Sequence, residues 1–200
     1  MPLSDCLAAL QQVRRDDEVV ITAMGAAREW QKLGSHPLDF VFVPSSMGQA
    51  SSLGLGIALA QPDRKVIVCN GDGSTLMNLG SLVTITAEAA ANLVLIVLDN
   101  GVYEVTGTQP TPGSASARRD GKDVDYAGMA WACGFRSVHW FDDLDGWRRN
   151  VRSVLDAEGP TFIVLKVAPV SDDFSPGFPG PGPARALAFQ AALAVTAREA

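Results

Sequence analysis

Residues 65–74 read KVIVCNGDGS, and this stretch is the strongest indication of the fold class. The mainly apolar run Lys65–Asn70 does not alternate with polar residues, which predicts a β-strand buried on both faces. The glycines of the turn that follows let the backbone bend sharply, and the helix expected after it offers unpaired N–H groups to an anion. Asp72 in this turn, beside phosphate oxygens, suits a hard divalent cation such as magnesium. Alone, the GDG triplet is equally typical of an ordinary strand-ending turn.

Five further short segments share this apolar or β-branched character and alternate with longer stretches rich in small or amphipathic residues. The further predicted strands are Glu18–Thr22, Phe40–Val43, Leu93–Leu98, Arg136–Trp140 and Thr161–Val167. The predicted helices are Leu3–Arg15, Gly25–Leu33, Gln49–Ala60, Leu79–Ala90, Tyr126–Cys133 and Leu144–Ala157. This order predicts an α/β fold, a doubly wound, mainly parallel six-stranded sheet with helices on both faces. Ligand sites in such folds gather at the carboxyl ends of the strands.

Two segments interrupt the alternation. Asp99–Asp123 is rich in Gly, Thr, Ser and Pro, and a connection of that length in a compact domain is usually functional or disordered. Ser171–Pro183 is predicted to be an extended arm, because its prolines recur too densely for a helix or a central strand. The Ala-rich segment Ala184–Glu199 favours a helix that packs on a neighbouring subunit or on the domain's own flank. We therefore predict a domain over 1–170 and an arm with a C-terminal helix over 171–200.

Composition excludes several classes of partner. The 200 residues carry 16 Lys and Arg against 22 Asp and Glu, a net charge of −6, so nucleic acid and anionic membrane are not expected partners. Cys6, Cys69 and Cys133 are far apart, which predicts neither a disulfide framework nor a structural zinc site. No signal stretch is recognised, and Leu93–Leu98 is too short to cross a bilayer. These features predict a soluble, cytoplasmic protein.

A second polar turn follows the next predicted strand, where residues 98–103 read LDNGVY. Asn100 lies one helix and one strand beyond Asp72, so the two turns should emerge side by side at the same edge of the sheet. A carboxylate, an amide oxygen and a turn carbonyl could complete one magnesium site there, with diphosphate and water as the remaining ligands.

These two turns together resemble the diphosphate-binding domain of thiamine diphosphate-dependent enzymes. The resemblance covers about residues 19–167. In the stretches SSMGQASSLGLGIALA, GDGSTLMNLGSLVTI and DNGVYEVTGTQPTPG it is closest to phosphonopyruvate decarboxylase and to the beta subunit of sulfopyruvate decarboxylase. It implies that the metal is bound by Asp72, Asn100 and the main-chain carbonyl of Val102. Asp99 stands where the most common pattern of the family has Asn, whereas the metal-binding second position of that pair is retained.

By the same resemblance, the turn after the strand DFVFV also contacts the cofactor. Met47 would hold the cofactor in its bent form, and the Ser45 carbonyl would accept a hydrogen bond from the aminopyrimidine. From the residues alone, the favoured role of Met47 is to fill a gap in the core. The predicted cofactor-binding residues are Ser45, Ser46, Met47, Gly48, Gly71, Asp72, Gly73, Ser74, Asn100, Val102 and Tyr103, and the predicted catalytic residues are Met47, Tyr103 and Glu104.

The long loop also resembles the decarboxylases, which carry a similar E-x-x-G-x-Q-P-T pattern, and this implies that it faces the substrate. Arg118 and Arg119 on the same loop could meet a phosphonate, sulfonate or carboxylate, although paired loop arginines are usually solvated. The pattern residues predicted to face the substrate are Tyr103, Glu104, Thr106, Gly107 and Gln109.

The resemblance implies that this chain carries only half of an active site. Thiamine diphosphate catalysis uses a second domain that holds the pyrimidine ring and supplies an activating glutamate, and this sequence has no second set of strands and helices to build it. We therefore expect thiamine diphosphate and Mg²⁺ as cofactors, with a separate pyrimidine-binding, alpha-type subunit as partner. The predicted protein is a subunit, inactive alone, of a homo- or hetero-oligomer that decarboxylates a small 2-oxo acid.

The alternatives are a subunit of another thiamine diphosphate enzyme, either a synthase or an oxidoreductase, a nucleotide-binding domain, and a non-catalytic homologue that has kept the fold. Gly54 and Gly56 do not satisfy the dinucleotide fingerprint GxGxxG, because Leu59 occupies the third glycine position. Neither a GK[ST] phosphate loop nor a GxSxG nucleophile elbow occurs. His36, in a Ser-His-Pro turn, and His139, predicted at a strand end, are expected to be structural more often than catalytic.

Overall fold

The computed structural model describes residues 1–42, 47–170 and 179–195. The strands are β1 (Val19–Ala23), β2 (Asp39–Phe42), β3 (Val66–Gly71), β4 (Leu93–Asp99), β5 (Val102–Tyr103), β6 (Gln109–Pro110), β7 (Ser137–Phe141) and β8 (Thr161–Lys166). Six of them form one sheet in the order β2-β1-β3-β4-β8-β7, and every neighbouring pair in it is parallel. The two-residue strands β5 and β6 pair separately as an antiparallel hairpin.

Helices cover both faces of this sheet. They are α1 (Leu3–Val13), α2 (Met24–Lys32), α3 (Ala50–Ala60), α4 (Asp72–Leu76), α5 (Gly80–Glu88), α6 (Tyr126–Ala132), α7 (Leu144–Asp156) and α8 (Gly182–Val195). Apolar residues of α1, α2 and α7 pack with Ile67 and Ile96 on one face of the sheet, and those of α3, α5 and α6 pack with Val68 and Leu95 on the other. Because both faces are buried, the strands are apolar at successive positions. The predicted doubly wound α/β fold is confirmed.

Two tryptophans anchor the first helical layer. Trp30 of α2 and Trp147 of α7 are among the largest fully buried side chains. The indole Nε1–H of Trp147 donates to the carbonyl of Cys6 at 2.9 Å, which joins α7 to α1. The start of α7 is capped by Asp143, whose carboxylate accepts a hydrogen bond from the Gly146 N–H. These contacts therefore fix α7 to α1 on this face of the sheet.

The six predicted sheet strands and six predicted helices occur within two residues of their expected bounds, but three local features differ. A separate short helix, α4, begins at Asp72 itself, and the chain turns before α5 begins at Gly80. The Asn78 amide in this turn donates a hydrogen bond to the carbonyl of Gly48, so the turn between α4 and α5 makes a tertiary contact. The long connection is not featureless, because it contains the β5–β6 hairpin and two single-turn helices. His139 lies in the middle of β7, so its predicted position at a strand end is wrong.

Helix α8 packs against the edge strand β2. The ring of Phe189 lies 5.1 Å from the ring of Phe40, and the Arg185 guanidinium donates to the carbonyl of Val41. Of the two locations expected for a C-terminal helix, the domain's own flank is therefore the one observed. Residues 171–178 of the predicted arm and 196–200 of the predicted helix lie outside the described residues, so the division into domain and arm stays a prediction.

All three cysteines are free, and two of them are buried. Burial raises the pKa of the Cys6 thiol to about 11 and that of Cys69 to about 12, so both stay protonated at neutral pH. Within the described ranges, no helix is both long and apolar enough to span a membrane.

Gly54 and Gly56 differ in their surroundings although both lie on α3. A Cβ at Gly54 would lie 2.2 Å from Cγ2 of Val68 on β3, whereas a Cβ at Gly56 would meet no atom within 4 Å. We expect Gly54→Ala to lower the free energy of unfolding by about 1–3 kcal/mol through overpacking. Gly56→Ala should raise it by about 0.5–1 kcal/mol, because alanine favours the helix. Urea unfolding measures both, and equal stability of the two variants would contradict the close packing of α3 on β3.

Candidate functional site

The order in which successive strands are added to the sheet reverses at β1, because β2 pairs on one side of it and β3 on the other. In open parallel sheets, ligands bind outside the carboxyl ends of the strands at such a point. A cavity of about 390 Å³ lies there, lined by residues that follow β1, β3 and β4. The predicted site residues that line it are Met47, Gly71, Asp72, Gly73, Ser74, Asn100, Val102, Tyr103 and Glu104. The structure thus brings together turns that are far apart in the sequence.

The end of β1 contributes residues to the cavity that the sequence analysis missed. Ala23, Met24 and Gly25 line it. The backbone of Met24 has φ 58°, a left-handed conformation that is uncommon outside glycine and frequent near functional sites. A Cβ at Gly25 would lie 2.6 Å from Oε2 of Glu104, so glycine here allows that carboxylate to approach α2. This turn has no polar side chain, and only the rule for carboxyl strand ends could have indicated it.

Asp72 is a buried carboxylate, with 2% of its surface exposed. It accepts a hydrogen bond from the Thr111 hydroxyl at 3.2 Å and further ones from the N–H groups of Gly73 and Gly101. Burial, and then the nearby charge of Asp99, raises its pKa to about 6. Asp72 forms no ion pair with any residue in the described ranges. A buried carboxylate without a counter-charge is a favourable place for a cation.

Asp99, whose charge lies near this carboxylate, has a counter-charge within the fold. Burial raises its pKa, but the Nζ atom of Lys166 lies 2.9 Å from its Oδ2 and opposes that shift. The same ammonium contacts Asp123 at 2.9 Å. Asp99 is therefore the carboxylate held in an ion pair inside the fold, whereas Asp72 has no such partner among the described residues.

The turn after β4 is held in place by its own polar groups. The Asn100 Oδ1 accepts a hydrogen bond from the N–H of Val102 at 3.0 Å, and the carbonyl of Gly101 accepts one from Thr111 at 2.9 Å. An amide oxygen has two lone pairs, so Asn100 retains one acceptor position for a further ligand. Because the Thr111 hydroxyl also donates to Asp72, Thr111 connects the turns after β3 and β4.

The turn at Met47 and Gly48 is joined to the same region. Met47 has φ 45° and a side chain that is 58% exposed. The Gly48 N–H donates to the Ser74 hydroxyl at 2.9 Å. This bond places Met47 at the cavity. Ser45 and Ser46 lie outside the described residues, and their cofactor contacts stay predictions.

The long loop contributes only part of the pattern predicted to face the substrate. Tyr103 packs its ring on Gly73, where an added Cβ would lie 2.3 Å from the ring carbon Cε1. Glu104 accepts a hydrogen bond from the N–H of Val170 at 2.7 Å through Oε1. Tyr103, Glu104 and Thr106 line the cavity, whereas Gly107, Gln109, Arg118 and Arg119 are exposed and are not among its lining residues. The Arg118 guanidinium instead contacts Asp120 at 2.8 Å.

Neither histidine is among the residues that line the cavity. The His36 Nδ1 accepts a hydrogen bond from the N–H of Leu38 at 3.1 Å, and burial together with the nearby Arg14 lowers its pKa. The His139 ring contacts the Ser137 hydroxyl at 3.1 Å, and burial lowers its pKa as well. Both rings therefore have local structural contacts.

The donor set of the cavity fits a hard cation and a bulky ligand. In the part of the chain that the structure describes, no cluster of three or more His, Cys, Asp or Glu side chains occurs. A metal here would instead meet oxygen donors from Asp72, Asn100 and a main-chain carbonyl, the kind that Mg²⁺ prefers, and would take further ligands from the bound molecule and water. A Cβ at Gly71 would meet no atom within 4 Å, so the backbone of this turn is open to a ligand.

Fold and site together define a doubly wound α/β domain with a ligand-binding cavity at the point where its strand order reverses. Comparison with protein families agrees with this class. Residues 22–165 match the model described as thiamine pyrophosphate enzyme, C-terminal TPP binding domain. The chain belongs to this thiamine pyrophosphate enzyme family, as its resemblance predicts, and carries the C-terminal cofactor-binding domain.

The chain is also similar to individual proteins of known name. It is 43% identical over 164 residues to the phosphonopyruvate decarboxylase of Streptomyces viridochromogenes, covering 82% of this chain and 39% of that protein. It is 39% identical over 159 residues to the sulfopyruvate decarboxylase subunit beta of Methanothermobacter thermautotrophicus, covering 79% of this chain and 78% of that one. The chain thus spans about two fifths of the first relative and most of the second.

Among solved structures, the 2-oxoglutarate:ferredoxin oxidoreductase from Magnetococcus marinus shares the fold. The TM-score is 0.67 at 14% identity, and the similarity covers 86% of this chain and 62% of that one.

Proposed function

We propose that this chain is the thiamine diphosphate- and Mg²⁺-binding subunit of a 2-oxo acid decarboxylase of the phosphonopyruvate or sulfopyruvate type. The observation that carries the proposal is Asp72, a buried carboxylate without an ion-pair partner among the described residues, at the cavity of a thiamine pyrophosphate-binding domain. The names of the relatives support the reaction class.

In this proposal, oxygen donors on two neighbouring strands hold the metal. The Asp72 carboxylate, the Asn100 amide oxygen and the Val102 carbonyl bind Mg²⁺. The backbone of residues 71–74, open at Gly71, receives the diphosphate. Thr111 orients the Asp72 carboxylate through its hydroxyl. The ion pair of Asp99 with Lys166 keeps the second carboxylate of this region engaged within the fold.

When bound, thiamine diphosphate supplies a nucleophilic carbon for the 2-oxo group and an electron sink for the loss of carbon dioxide. The chain supplies positioning. Met47 would support the cofactor from the cavity, and Ser45 and Ser46 would supply further contacts to it. Tyr103, fixed on Gly73, and Glu104 face the substrate. Glu104 is anchored through Oε1, which leaves Oε2 to hold or return a proton.

A second polypeptide is expected to cover the cavity. Its lining includes Met47, Met77 and Val105, apolar side chains that are 58%, 48% and 39% exposed. Exposed apolar groups clustered at a cavity mark a surface that another molecule covers. The relatives of which this chain spans most of the length are named as beta subunits. We propose a separate alpha-type subunit that binds the pyrimidine ring and supplies the activating glutamate, so that the chain alone is inactive.

A titration with two arms tests the proposed function. The chain is titrated with thiamine diphosphate and Mg²⁺ by calorimetry, first alone and then with the product of the neighbouring gene, and carbon dioxide release is measured with 3-phosphono-, 3-sulfo- and simple 2-oxo acids. We expect weak binding alone, tight binding in the complex and decarboxylation only in the complex. Absence of binding in both arms would refute the cofactor assignment. Tight binding without carbon dioxide release would refute the decarboxylase and favour a synthase or oxidoreductase subunit.

A further inference from the structure

Strand β7 is an open edge of the sheet. It ends the strand order, and β8 is the one segment in the described ranges with which it forms backbone hydrogen bonds. Its sequence, SVHWF, has no Asp, Glu, Lys, Arg or Pro, and the side chain of Trp140 is 53% exposed. Burial lowers the pKa of His139, so the strand is uncharged at neutral pH. An uncharged edge with an exposed aromatic residue is a template for pairing with another strand.

The opposite edge of the sheet is protected. Strand β2 is covered by α8, which places the ring of Phe189 against Phe40. The Arg185 guanidinium donates to the outward carbonyl of Val41 and so occupies an acceptor of that edge. Among the described residues, α8 thus covers one edge of the sheet and nothing pairs with the other, although open edges promote aggregation unless something pairs with them.

The residues around β7 are self-complementary. When two copies of residues 136–142, RSVHWFD, run antiparallel with His139 opposite His139, Arg136 of one copy lies opposite Asp142 of the other. This charge pair forms twice, once at each end, because of the two-fold symmetry. In each copy both residues are exposed, and neither forms an ion pair with the rest of the described chain. Val138 then faces Trp140 of the second copy, which is a favourable cross-strand pair.

We propose that β7 is a homodimer interface, at which the β7 strands of two copies pair antiparallel about His139 and join the two sheets into one. The occupant of the open edge is a second copy of this chain, because the charges flanking β7 complement themselves in that register and in no parallel one. The dimer uses the edge beyond β8, so the cavity at the carboxyl ends of β1, β3 and β4 stays open to a different subunit. The interface is therefore independent of the proposed cofactor site.

A charge exchange on the full-length chain tests this interface. Arg136→Asp and Asp142→Arg each place like charges opposite one another at both ends of the paired strands. Each change is expected to raise the dissociation constant of the dimer about tenfold, as measured by sedimentation velocity. The double variant should restore the wild-type dissociation constant. The matched control is Asp63→Arg, which makes the same change in charge as Asp142→Arg. Asp63 lies in the exposed turn before β3, away from β7, so this variant should leave the dimer intact. A monomeric wild-type chain, or a dimer unaffected by both single changes, would overturn the proposal.

A crosslink checks the register without weakening the interface. In a Cys133→Ser background, His139→Cys brings two thiols face to face across the two-fold axis, so mild oxidation should give a disulfide-linked dimer. Ser137→Cys, on the same face of β7 but opposite Phe141 of the second copy, is the matched control and should stay monomeric on a denaturing gel. Equal crosslinking of the two variants would show that the strands do not pair about His139. The buried thiols of Cys6 and Cys69 do not interfere.

Discussion

Asp72→Asn is expected to abolish Mg²⁺-dependent binding of thiamine diphosphate while the fold remains intact. The change removes the carboxylate from the proposed donor set and keeps the size of the side chain. Loss of an outer-shell contact to a bound metal typically costs about 10–100-fold in affinity, so loss of a ligand should cost at least about 100-fold. The amide oxygen can still accept the Thr111 hydroxyl bond. Removing the buried charge near Asp99 should stabilise the variant, whereas losing one acceptor oxygen for the Gly73 and Gly101 N–H groups should destabilise it, so its stability should stay close to that of the wild type.

Calorimetry on the complex, with Mg²⁺ and then with a chelator, measures this effect, and thermal unfolding measures stability. Asp63→Asn is the matched control. It neutralises an exposed carboxylate in the turn before β3, at the opposite end of β3 from Asp72, and should leave cofactor affinity unchanged. Wild-type affinity in Asp72→Asn would refute the metal site. A large loss of stability would instead show that the carboxylate charge supports the fold.

Gly48→Ala is expected to have the second large effect, on both stability and binding. Gly48 has φ 88°, a left-handed conformation that costs an L-residue about 1–2 kcal/mol. Its new Cβ would also lie 2.6 Å from the carbonyl oxygen of Ser74, and overpacking against such an atom typically costs about 1–3 kcal/mol. Together we expect a loss of about 2–5 kcal/mol. The hydrogen bond from Gly48 to the Ser74 hydroxyl should break, which moves Met47 away from the cavity.

Gly121→Ala separates the cost of the left-handed backbone conformation from the cost of the steric contact with Ser74. Gly121 has φ 63° but no atom within 4 Å of an added Cβ, so this variant carries the backbone cost alone. Urea unfolding should therefore place Gly48→Ala well below Gly121→Ala in stability, and cofactor affinity should fall in the first variant and stay unchanged in the second. If the two variants unfold alike, the close contact between the turns at Gly48 and Ser74 plays no part in stability.

Much of the architecture could be predicted because the local pattern and the tertiary environment agree. Strands β3 and β4 are apolar at consecutive positions, since helices bury both of their faces, and this pattern distinguishes them from half-exposed strands. Glycine-containing turns follow both strands, so the carboxyl ends were recognisable from the sequence. Asp72 and Asn100 were found for that reason, because their turns end adjacent strands.

Other features depend on contacts between distant segments and left no local signal. The turn at Ala23–Gly25 has no polar side chain, and it lines the cavity because β1 pairs with β3. The interruption between α4 and α5 coincides with the contact of Asn78 with Gly48. Arg118 resembled an anion contact by composition, but it is exposed and paired with Asp120.

Asp72 and Asp99 show which properties of a residue can be predicted from sequence and which depend on tertiary contacts. The amino-acid sequence alone indicates the parallel sheet, the two polar turns and the presence of both Asp72 and Asp99 near the strand ends. The sequence does not show which of the two carboxylates has an ion-pair partner, because both are acidic residues in similar turns. Only the register of β4 with β8 decided this, since it sets Asp99 beside Lys166. That ammonium neutralises Asp99, and Asp72 is left as the buried carboxylate at the cavity with no ion-pair partner in the described chain.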